Sequence, residues 1–167
     1  MTRLPRKKTS KSAKVKSKQP RMAREFPRAA PVRFVSLQAV RALHRESLAE
    51  HGGLDGVRDE GLLESALARC VHRANYEPES SVQQLAAALA FGIARNHPFN
   101  DGNKRAALVA SFLILELNGW KVVASQADAY EVFYALAAGD RTEEQVAEWF
   151  VASTKAKRGR SIRPPTA

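Results

Sequence analysis

The 167-residue chain has one cysteine, Cys70. No disulfide can form within it, so the cystine framework that staples small secreted folds is excluded. It has no apolar run long or continuous enough to cross a bilayer. No apolar segment follows the charged N terminus, and no amphipathic stripe runs through it, so neither a secretory signal nor an organelle transit peptide is expected there. No segment repeats. Acidic residues are nearly missing from both ends: residues 1–33 hold twelve Lys/Arg against the single acid Glu25, and residues 153–167 hold five Lys/Arg and no acid. These absences predict a cytoplasmic protein with no membrane partner. Cys70, inside the helical pattern "LLESALARC", is expected to be a small buried hydrophobe.

The net charge of +10 belongs to those ends, because residues 34–152 hold ten Lys/Arg and sixteen Asp/Glu. The N-terminal segment is rich in Lys, Ser and Pro and has no apolar period, which predicts a basic, disordered extension over 1–33. A second disordered basic tail is expected over 153–167. Either could make weak nucleic-acid contacts, although a solubilising extension explains the composition more simply. The chain as a whole is 44% hydrophobic, and the segment between has material for one domain with a core.

That domain, 34–152, reads as almost all helix. Ser36 caps a first helix carrying Leu37, Val40, Leu43 and Leu48, and Gly52-Gly53 end it. A glycine-rich loop leads to a second helix over about Glu60 to Arg73. Ser81 with Gln84 three residues on is a capping box for a third. A fourth runs from Asn103 to Leu117, and "ALVASFLILEL" is apolar nearly all round, which predicts the central buried helix. "WKVVA" suits a short strand, and Ser125 and Thr142 cap two further helices. The expected fold is a compact all-α bundle with at most a short strand or hairpin.

Between the third and fourth helices lies "NHPFNDGNKRAAL", Asn96 to Leu108. A helix N terminus offers unpaired N–H groups and partial positive charge, which suits an anion. Gly102 lets a ligand approach the backbone, and Asn103, Lys104 and Arg105 put an amide and two cations on the first turn. Cations there oppose the helix dipole, so helix stability does not account for them, whereas a bound polyphosphate does. Asp101 is a hard oxygen ligand placed where Mg²⁺ would be shared between a carboxylate and phosphate oxygens. His97 can take a proton from an attacking hydroxyl. Taken singly, a His before Pro is an ordinary loop residue and a Lys-Arg pair an ordinary solvated face. Their convergence on one loop before an apolar helix favours a phosphate site.

The segment "HPFNDGNKRAAL" also resembles the signature of the Fic/Doc (Fido) superfamily, His-x-Phe-x-Asp-Gly/Ala-Asn-Lys-Arg, over His97 to Arg105. Similarity to death-on-curing toxins extends through "LQAVRALHRESLAEHGGLDGVRDEGLLESALAR" and "YEPESSVQQLAAALAFGIARNHPF", and spans about Phe34 to Val151. The resemblance implies a compact helical bundle. It implies His97 as general base, Asp101 as the acidic residue near metal and substrate, and Asn103, Lys104 and Arg105 as phosphate ligands. Gly102 would shape the cradle, and Arg95 would be a further site arginine. AMP-transferring members carry Gly where this chain has Lys104 and Arg where it has Leu108. The Lys variant implies a Doc-type toxin with ATP reversed, transferring its γ-phosphate to a hydroxyl of a target protein, by analogy a translation elongation factor. ATP and Mg²⁺ are the implied cofactors, and a cognate antitoxin the implied partner, since the self-inhibitory pattern Ser/Thr-x-x-x-Glu-Gly/Asn is absent. An AMP transferase is the alternative, and a catalytically idle nucleic-acid-binding protein a further one.

Overall fold

The computed structural model describes residues 31–157, and 1–30 and 158–167 lie outside it. The expectation of basic disordered tails therefore falls largely on residues outside the described ones. Among the described residues, six helices and two short strands follow in order: α1 (Leu37–His51), α2 (Glu60–Tyr76), α3 (Val82–Asn96), α4 (Asn103–Leu117), β1 (Trp120–Val122), α5 (Gln126–Ala138), α6 (Glu143–Ser153) and β2 (Thr154–Ala156). The expected all-α bundle is the architecture found, with one short two-stranded antiparallel sheet whose strands are separated by α5 and α6.

Five of these helices begin at a side chain that accepts a backbone N–H of the first turn: Ser36, Asp59, Ser81, Ser125 and Thr142. Ser81–Gln84 and Thr142–Gln145 form reciprocal capping boxes. Only α4 starts without such a cap, at Gly102.

The central helix is α3, a correction to the expectation for α4. Ten of its fifteen residues are buried, against six of fifteen in α4. The physical reason is side-chain size. Ala86, Ala87, Ala88, Ala90, Gly92 and Ala94 let neighbouring helices approach α3 from several sides, and it packs on α2, α4, α5 and α6. The crossing with α2 is tight enough that a Cβ on Gly92 would stand 2.9 Å from Ala66 Cα. On the far side of α4, Phe112, Phe133 and Phe150 meet edge to face at centroid distances of 6.2–6.3 Å.

α2 and α6 are joined by ions. Glu143, buried at the first position of α6, accepts from Arg69 Nε at 2.8 Å and Nη2 at 2.6 Å and pairs with Arg73.

Among the described residues, packing continues on both sides of 34–152. Val32 packs against the core, and the Arg33 backbone exchanges two hydrogen bonds with the Asn118 amide at 2.9 and 2.8 Å. At the other end β2 pairs antiparallel with β1, Thr154 opposite Val122. Thr154 is buried, donating to the Phe150 carbonyl at 2.7 Å and accepting from Gln83 at 3.1 Å. A run of basic residues hid a strand whose one inward residue is a threonine. No helix among the described residues is long and apolar enough to cross a membrane.

Candidate active site

The His97–Gly102 loop is held from three sides. α3 ends at His97, which adopts the left-handed conformation, φ 49° and ψ 56°, and returns its N–H to the Ile93 carbonyl at 3.3 Å. The Pro98 carbonyl accepts from both Arg58 and Asp59 N–H at 2.8 and 3.1 Å, and the Asn100 N–H donates to the Gly56 carbonyl at 3.1 Å. Val57 and Phe99 form an isolated antiparallel bridge. Residues 56–59, just ahead of α2, thus brace the loop like a second strand.

Asn103 clamps the turn from the other side. Its Oδ1 accepts the Phe99 N–H and its Nδ2 donates to the Phe99 carbonyl, both at 2.9 Å. Below, the Phe99 ring is buried and stacks on His44 of α1, centroids 3.9 Å apart and planes 12° from parallel. His44 Nε2 donates to the Asp101 carbonyl at 2.8 Å. Sequence reasoning missed His44. Its signal was there, since it lies between Val40 and Leu48 on the four-residue apolar stripe of α1.

The Asp101 carboxylate faces outward. Its Oδ1 accepts the Gly102 N–H at 2.5 Å and its Oδ2 the Leu54 N–H at 3.3 Å. These two N–H groups, Gly102 first, hold its carboxyl below the usual range. Desolvation by the surrounding protein works against them, and Arg105 and His44 add to the lowering. Gly102 sits at φ 72°, where glycine is unstrained, and a Cβ there would lie 3.3 Å from His44 Nε2.

The structure separates the three expected cations. Lys104 reaches over the ring of Tyr134, its Nζ 4.3 Å from the centroid. Arg105 turns back to the end of α1, donating to the Gly52 carbonyl at 2.8 Å and the Ser47 carbonyl at 3.4 Å. Arg95 is not brought to the loop: its guanidinium lies against Gly139, the C-cap of α5. His97, Asp101, Gly102, Asn103, Lys104 and Arg105 do converge, on the wall of a cleft of about 500 Å³. The facing wall was not read from the sequence. It comes from α5, through Tyr130, Phe133 and Tyr134, with Leu108 of α4 beside them.

One wall of the cleft is thus an uncapped helix N terminus with a glycine at its mouth, a lysine on its first turn, and an imidazole and a carboxylate on the preceding loop. That combination suits an anion brought against a proton acceptor. The described residues contain no group of three or more His, Cys, Asp or Glu that could hold a metal alone. Asp101 fits a divalent ion only as one ligand among phosphate oxygens and waters, which is how Mg²⁺ is commonly held.

The structure is thus a six-helix bundle that carries this polar loop on the wall of an open cleft. Comparison with known proteins places it. The model described as the Fic/DOC family matches residues 34–115. The chain is 36% identical over 91 residues to protein kinase doc of Escherichia phage P1, an alignment covering 54% of this chain and 72% of that protein. It is 42% identical over 76 residues to toxin Doc of Mycolicibacterium smegmatis, covering 44% of this chain and 57% of that one. The chain belongs to the Fic/DOC family, and its similarity within that family is to Doc-type toxins.

Proposed function

We propose that this chain is a Doc-type toxin that transfers the γ-phosphate of ATP to a hydroxyl of a target protein, by analogy a translation elongation factor, and so halts growth. The observation that carries this reading is the meeting of His97 and Lys104 at the open N terminus of α4. The N–H groups of the first turn and the Lys104 ammonium would take the phosphates. His97, exposed at the cleft, would accept the hydroxyl proton as the hydroxyl oxygen bonds to the γ-phosphorus and the bond to the β-phosphate oxygen breaks, releasing ADP. Mg²⁺ held through Asp101 would supply charge neutralisation at the phosphates. Asn103 contributes by fixing the turn, and Arg105 by tying α4 to the end of α1. A cognate antitoxin is the corresponding partner.

Incubating the protein and bacterial extract with ATP labelled at either the α or the γ position tests this. The reading expects label on a target only from the γ position, lost in His97→Ala. Label from the α position, with a target mass gain of AMP, would make the chain an AMP transferase on the same residues.

A further inference from the structure

We propose that the α5 wall of the cleft is a nucleobase platform in which Tyr130 carries the base and Tyr134 holds Lys104 for the phosphates, and that it reads the face of the base but not its edge. This rests on the nucleotide reading above and deepens it. α5 buries Ala129, Val132, Phe133 and Leu136, yet leaves Tyr130 62% and Tyr134 54% exposed, one turn apart on the side that lines the cleft. Two large aromatic faces left in water beside a cleft call for a flat, apolar-faced ligand.

The geometry divides their tasks. The two rings lie 6.1 Å apart with 33° between their planes. A base inserted between them would need about 7 Å of parallel gap, roughly 3.5 Å of contact on each side, so it must lie on an outer face. Tyr134 already carries the Lys104 ammonium on its ring. Tyr130 is the more exposed of the two and is the face left for the base.

Apart from Lys104, which is engaged on Tyr134, the cleft lining on the α5 side consists of Leu108, Phe133 and the tyrosine rings themselves. It offers surface but, beyond two phenol hydroxyls, no group to match the donors and acceptors along a base edge. Strong discrimination between such analogues requires buried polar groups left unpaired by the wrong one. Stacking alone favours the larger purines over pyrimidines and treats adenine and guanine alike.

Calorimetric titration of the full chain with Mg²⁺ and non-hydrolysable ATP, GTP or CTP analogues, and with inorganic tripolyphosphate as the base-free probe, tests the assignment. The ATP and GTP analogues should bind within about threefold of each other and the CTP analogue more weakly. Tyr130→Leu should weaken the purine analogues about tenfold while leaving tripolyphosphate unchanged, and Tyr130→Phe should restore them. Tyr134→Leu should weaken tripolyphosphate as well, through Lys104, with Tyr134→Phe again restoring it. A tenfold preference between the ATP and GTP analogues would overturn the platform. So would a Tyr130→Leu variant that binds the ATP analogue normally, or one that loses tripolyphosphate in equal measure. Wild-type protein that binds neither nucleotide nor tripolyphosphate would overturn the phosphotransfer reading itself.

Discussion

His97 is the only non-glycine residue with positive φ among the described residues, and that conformation costs a side chain about 1–2 kcal/mol. The loop holds it there through Pro98, Phe99 and Asn100, while His97 itself is exposed. Left-handed strain at an exposed residue on the cleft is consistent with the role proposed for it. His97→Gly should therefore raise the stability of the fold by about 1 kcal/mol in urea unfolding, while His97→Ala and His97→Gly both lose roughly 10²–10⁴-fold in phosphoryl transfer. A His97→Gly protein less stable than wild type would mean that the imidazole is structural. Lys104 separates stability from function in a second way. A cation in the first turn of α4 opposes the dipole by about 0.3–1 kcal/mol, and its contact with Tyr134 returns about 0.5–1 kcal/mol. The two effects offset, so the uncharged Lys104→Met should leave the thermal midpoint nearly unchanged and abolish transfer.

Among the elements, the α2–α3 and α2–α6 contacts carry the most specific demands. Gly92→Ala would drive a methyl into the Ala66 backbone and force the helices apart, costing about 1–3 kcal/mol. Gly119→Ala, which meets nothing within 4 Å but sits at φ 82°, should cost only the left-handed strain of about 1 kcal/mol. Glu143→Ala would leave Arg73 with less of its compensation in the interior. Since Arg69 is half exposed, about 2–3 kcal/mol is expected, below the loss seen for fully buried pairs. Denaturant midpoints of the three variants check the order.

The elements themselves were largely legible, because helix starts are written in single residues: Ser36, Ser81, Ser125 and Thr142 all cap where the sequence places them. The site loop was legible for the same reason, since its polar groups interrupt an apolar region. What escaped were properties of pairs of elements. The burial of α3 depends on what small side chains admit, the strand β2 exists only because β1 lies beside it, and His44 acquires its role from a loop 57 residues away. Arg105 was read as a phosphate ligand from its position on the turn, and nothing local foretold its hydrogen bonds to the end of α1.

At the scale of the whole molecule, the charges of residues 31–157 nearly balance, thirteen Lys/Arg against sixteen Asp/Glu. The pH response should therefore come from individual groups. Asp101 and Glu144 are held below their ordinary range, the latter by its own N–H and by Thr142. The unfolded chain takes up these protons first, so their contribution is present above the ordinary carboxyl range and is lost as pH falls through the lower folded values, below about pH 4. Cys70 behaves oppositely. Burial, assisted by Glu143, pushes its thiol from 9.0 up to about 12. The unfolded chain releases that proton first, so stability is full below pH 9 and declines as pH rises from 9 toward 12. Thermal midpoints against pH should show this alkaline decline flattened in Cys70→Ala. At pH 8, aromatic disulfide reagents should not modify Cys70 until the chain unfolds.

The brace between residues 56–59 and the His97 loop also sets a time scale. The amides of Arg58, Asp59, Phe99 and Asn100 belong to segments outside the helices, where backbone hydrogens ordinarily exchange with solvent in the fastest class. Here each has an acceptor on the opposite strand or on Asn103, and none of these bonds can open without disturbing its neighbours. They should trade hydrogen for deuterium together, at a rate nearer that of α2 and α3 than that of a loop. On the function proposed above, His97 would then meet its substrate without first having to find its own shape.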